Sequence, residues 1–65
     1  MNWEQVQGHW KLLKGTVKQK WGNLTDEEID IVEGKREELI GRLEAKYGYT
    51  KEMAEAEVDA WAKTL

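Results

Sequence analysis

Sixty-five residues with no cysteine, no proline and a net charge of −3 predict one domain over residues 1–65, thin in core and without disulfide or thiolate staples. No run approaches the ~20 apolar residues that span a bilayer, and no basic stretch followed by an apolar one opens the chain. The expectation is an all-α cytoplasmic protein: lack of proline leaves helices unbroken, and four tryptophans supply apolar area to a short chain.

The first helix is expected to open after Asn2. Asparagine is a strong N-cap, Gln5 stands at the third helical position, and Met1 and Val6 form a hydrophobic staple. Trp3, Val6, Trp10, Leu13, Val17 and Trp21 then fall within roughly 80° of the helical wheel, an amphipathic stripe. Lys20 suits the negative helix end, and Gly22 is expected as the left-handed residue beyond it. Next, Thr25-Asp26-Glu27-Glu28 is a capping box, with Leu24 and Ile29 as its staple. The short second helix turns Ile29 and Val32 inward, leaves Ile31 pointing elsewhere, and breaks near Glu33-Gly34. A third helix runs from about Lys35 to Tyr47 with Leu39, Ile40, Leu43 and Tyr47 on its apolar face, and Gly48 ends it. Thr50 caps the fourth, whose stripe is Ala54, Val58, Trp61 and Leu65. Met53 stands where the earlier box has Glu28, so this cap is weaker.

Glycines recur seven residues apart twice, at Gly8, Gly15 and Gly22 and again at Gly34, Gly41 and Gly48. Aligned with an offset of 26, the two segments place Leu13 over Leu39, Val17 over Leu43 and Trp21 over Tyr47. The chain reads as one helical hairpin written twice. Short connections make consecutive helices antiparallel, so the expected architecture is a four-helix minidomain of two αα-hairpins packed crosswise about an approximate twofold axis. On both long helices the ladder glycines lie opposite the apolar stripe. An exposed helical glycine costs about 0.8–1.0 kcal/mol relative to alanine. Gly8, Gly15 and Gly41 therefore mark tolerated softening, a close-approach surface, or a fold kept marginal.

No catalytic constellation accompanies this architecture, and the chain is not expected to be an enzyme. His9 is the single histidine and serine is absent, so neither a zinc site nor a serine nucleophile is expected, and no cofactor. Asp26, Glu27, Glu28, Asp30 and Glu33 crowd one segment without the EF-hand spacing, which reads as capping and solvated charge. Residues 1–22 carry four lysines against one glutamate, and residues 23–65 carry six basic and twelve acidic side chains. A basic helix packing beside acidic ones accounts for that asymmetry. Lys11, Lys14 and Lys18 form one basic stripe beside the tryptophans and are the candidate residues for an anionic partner such as nucleic acid or an anionic surface. Because the tryptophans lie on the core arc and the chain is acidic overall, nucleic-acid binding is disfavoured. No small-molecule substrate is expected, the partner is unspecified, and the chain is expected to be a monomer.

The run W-K-x-x-K-G-x-V-K-x-x-W-G-x-L-T-D, Trp10 to Asp26, resembles the CsbD-like small bacterial proteins. The run IVEGKREELIGRLEAKYGY, Ile31 to Tyr49, resembles the second half of the same pattern, and the likeness extends through Val58-Asp59-Ala60-Trp61. One departure is the Leu12-Leu13 pair, where Leu12 falls outside the core stripe. The resemblance implies a bacterial source, a link to general or osmotic stress response, and two orthogonal helical hairpins in a SAM-domain-like arrangement. It carries no molecular activity over to particular residues.

Overall fold

The computed structural model describes all of residues 1–65 and is helical throughout: α1 (Trp3–Gly8), α2 (Trp10–Lys20), α3 (Asp26–Val32), α4 (Arg36–Tyr47) and α5 (Lys51–Lys63), with no strand. The caps are those the sequence spells. Asn2 and Gln5 close a capping box at α1, and Thr25 and Glu28 close another at α3. At α5 the Thr50 hydroxyl accepts from the Met53 N–H at 3.2 Å with no reciprocal bond, since methionine has nothing to return. At the predicted break, Glu33 takes a left-handed φ of 54° and Gly34 follows at 76°. Gly48, at φ 68°, ends α4 as read.

The helix expected over the first twenty residues is instead two. Gly8 ends α1 and His9 (φ −105°, ψ 14°) bends the chain before α2 begins. The cause is tertiary. The α1 backbone is pressed against the α3–α4 turn so closely that a Cβ on Gly34 would lie 2.7 Å from Cα of Gln7 and 3.2 Å from the Val6 carbonyl oxygen. Gly22 also differs from expectation, because its φ is not positive. Trp21 (φ −123°, ψ 74°) makes the exit, and the turn is closed by the Leu24 N–H donating to the Trp21 carbonyl at 3.1 Å.

Packing follows the apolar stripes. Val6, Trp10, Leu13, Val17 and Trp21 meet Leu24, Ile29, Val32, Leu39, Ile40, Leu43, Ala54, Val58 and Trp61 in one core. Trp61 stands at its centre, with the rings of Trp3, Trp10 and Trp21 at 6.3, 6.4 and 5.7 Å. The Trp10 indole N–H donates to the Ile29 carbonyl at 2.8 Å, tying α2 to α3. The buried indole N–H groups of Trp21 and Trp61 meet no acceptor. In chain order, α2 packs on α3, α3 on α4 and α4 on α5. Gly8, Gly15 and Gly41 face outward, with nothing within 4 Å of where a Cβ would stand.

Candidate functional site

The lysine stripe of α2 borders α3, and the caps decide what it meets there. The Thr25 box starts α3 so that Asp26 and Asp30, one turn apart, share the edge turned to α2. Lys14 Nζ lies 2.5 Å from Asp30 Oδ1. Lys18 Nζ donates to the Leu24 carbonyl at 2.6 Å and lies 3.9 Å from Asp26 Oδ1. Lys11 makes no ion pair, so of the three candidate residues two are engaged within the molecule and one projects free.

An open hollow of about 600 Å³ lies at the junction of α1, α2 and the α3–α4 turn, lined by Gln7, Trp10, Lys11, Lys14, Asp30, Glu33 and Lys35. Lys35 Nζ stands 3.8 Å from Glu33 Oε1. The lining thus holds three ammonium groups and two carboxylates, a mixed-charge surface with a small positive excess. Lys18 lies outside it, in an adjoining hollow of about 320 Å³ along the α2–α3 seam. Sequence reasoning did not group Lys35 and Gln7 with the lysine stripe. Both arrive through the bend at His9 and the turn at Glu33-Gly34, and no local spacing announces that juxtaposition. His9 itself is exposed at the bend, and no group of three or more His, Asp or Glu side chains is placed to hold a metal ion.

Elsewhere the charges also join helices. Glu28 accepts from the Thr25 N–H at 3.1 Å and pairs with Lys46 at 3.0 Å and Arg42 at 3.7 Å, linking α3 to α4. The Thr25 backbone N–H, and then Lys46, hold its carboxyl below the ordinary value of 4.5. Arg36 of α4 grips Asp59 of α5 through two bonds of 2.9 and 3.0 Å, with Glu55 at 3.8 Å. That fork lowers the Asp59 carboxyl from its ordinary 3.8.

These features define a small helical protein whose charged side chains lace neighbouring helices together around a tryptophan-rich core. The chain belongs to the CsbD-like family: the family model of that description matches residues 4–56. It is similar to the UPF0337 protein YjbJ of Escherichia coli O6:H1, 51% identical over 63 residues, covering 97% of this chain and 91% of that one. It is also similar to a UPF0337 protein of Rhodopseudomonas palustris, 49% identical over 65 residues, with 100% and 98% covered. The YjbJ protein of Salmonella typhimurium is 46% identical over 61 residues, with 94% and 87% covered. No helix is long and apolar enough to cross a membrane.

Proposed function

We propose that this chain is a non-enzymatic, cytoplasmic stress-response protein of bacteria that acts through its hydrated outer surface, shielding other macromolecules when water or solutes are perturbed. The observation that carries this reading is where the charges go. Lys14, Lys18, Glu28, Arg36 and Asp59 are engaged within the molecule, so the α2–α3 seam offers mostly paired charges with a small positive excess, not a converged reactive set. The packing order supports the doubled-hairpin reading, with α2–α3 and α4–α5 as the two hairpins in a SAM-domain-like arrangement and α1 as a bent extension. The test is to dry a labile enzyme with this protein and with an equal mass of an unrelated protein of similar size and charge. Greater recovery of enzyme activity with this chain is expected; equal recovery overturns the shielding reading.

One observation favours a second reading, the binding of nucleic acid or an anionic surface by Lys11, Lys14 and Lys18. Lys35 joins Lys11 and Lys14 at the same hollow. Lys14 and Lys18 would have to leave Asp30 and the Leu24 carbonyl to take a phosphate, so affinity is low. Such binding would fall steeply between low and moderate salt and weaken on Lys11→Ala. Titration of labelled single-stranded DNA by anisotropy reads it, and absence of saturable binding at low salt removes it.

A further inference from the structure

Leu12 on α2 and the outer face of α4 line neither hollow at the α2–α3 seam, though Lys11 and Gly15 beside Leu12 do. Leu12 is 78% exposed, more than any other large apolar side chain. Gly15, three residues further along α2, and Gly8, across the bend at His9, have open space where side chains would stand. Leu12 is therefore a single apolar knob on a low surface. On α4 the reverse holds: Glu37, Glu38, Gly41, Arg42 and Ala45 line an open hollow of about 350 Å³, and nothing lies within 4 Å of where a Cβ on Gly41 would stand.

Charge repeats the pattern. Helix α2 carries lysines and no acid, and Lys11, beside the knob, makes no ion pair within the molecule. Arg42 lines the hollow and reaches Glu28 at 3.7 Å, Lys46 also pairs with Glu28, and Arg36 holds Asp59. Glu37 is held by Arg36 at 3.2 Å, and Glu38 is the carboxylate of the hollow that makes no ion pair within the molecule.

We propose that the chain associates with further copies of itself head to tail, Leu12 of one copy seating in the Gly41 hollow of the next and Lys11 meeting Glu38. Knob and hollow lie on different helices, so the contact is heterologous. Each added copy brings a fresh knob and a fresh hollow, and the assembly grows without closing at a dimer. One leucine and a few rim charges make a weak interface at the low end of specific contacts. It forms at high protein concentration and weakens with salt. This goes beyond the shielding reading and replaces the expectation of a monomer under crowded conditions.

Sedimentation equilibrium at rising concentration in low salt tests it. The average mass of the wild-type chain is expected to climb continuously. Leu12→Glu removes the knob and Gly41→Gln fills the hollow; each is expected to weaken association by about tenfold or more, the effect of withholding one leucine from burial. Circular dichroism verifies that both variants are folded. Mixed one to one, they retain one good knob and one good hollow between them, so they should form a heterodimer and stop there. A wild-type chain monomeric throughout, a plateau at the dimer, variants that associate like wild type, or a mixture that fails to pair would each overturn the proposal.

Discussion

At Gly34 two demands coincide: a left-handed φ of 76° and an approach to Gln7 that leaves no room for a side chain. Gly48 shares only the first, since its φ is 68° and its surroundings are open. The two positions therefore separate conformational strain from steric exclusion. Gly48→Ala should cost about 1 kcal/mol, and Gly34→Ala at least about 2 kcal/mol because α1 must also move off the turn. Urea denaturation followed by tryptophan fluorescence measures both; equal costs would show that the α1 contact carries no energy. The indoles allow a similar subtraction. Trp10→Phe removes a donor and orphans the Ile29 carbonyl, whereas Trp21→Phe removes a buried N–H that meets no acceptor. Both changes lose the same atoms, so Trp10→Phe should be the more destabilising by about 1 kcal/mol or more.

Helix α3 is the element least able to stand alone, seven residues between two others. It is held on one side by Lys14 of α2 through Asp30, with Lys18 near Asp26, and on the other by Lys46 and Arg42 of α4 through Glu28. Because the folded Glu28 carboxyl lies below its ordinary 4.5, the unfolded chain takes up this proton first as pH falls. The stabilisation is present in full above that ordinary value, declines below it, and is gone once the native carboxyl is also protonated. Glu28→Gln should therefore lower stability at neutral pH and flatten the acid limb. Melting curves from pH 7 to pH 3 check it, and an unchanged acid limb would show that Glu28 does not hold α3. Much of α3 was legible in the sequence, because a capping box and a staple act over a few residues: Thr25, Glu28, Leu24 and Ile29 name the start, and Gly34 the stop. The bend at His9 was not legible, since it answers to a backbone contact with Gly34 that no local pattern encodes. The lysine stripe of the candidate site was legible as a stripe for the same local reason. That acidic helices would pack beside it was legible from the charge asymmetry, but the particular partners were not, because whether Asp30 faces Lys14 depends on how α3 docks.

For the molecule as a whole, a core this small supplies on the order of 3–5 kcal/mol. Gly15 and Gly41 lie inside α2 and α4 with open space around them. Gly8 ends α1 beside the bend and is not an interior position. Replacing the two interior glycines with alanine should add about 1.5–2 kcal/mol and raise the melting temperature on the order of 10 °C, read by calorimetry. No rise would remove the argument that the fold is held near its stability limit. The single variants divide the ladder further. Gly15→Ala and Gly41→Ala should stabilise alike, since both relieve the same backbone freedom on solvent faces. Only at Gly41 does the added methyl enter the hollow lined by Glu37, Glu38 and Ala45. Gly41→Ala should then gain thermal stability while losing self-association, and Gly15→Ala should gain the first without losing the second. If the two variants behave identically in both measurements, the glycines of the two helices serve one purpose, and the α4 hollow has no role in bringing copies together.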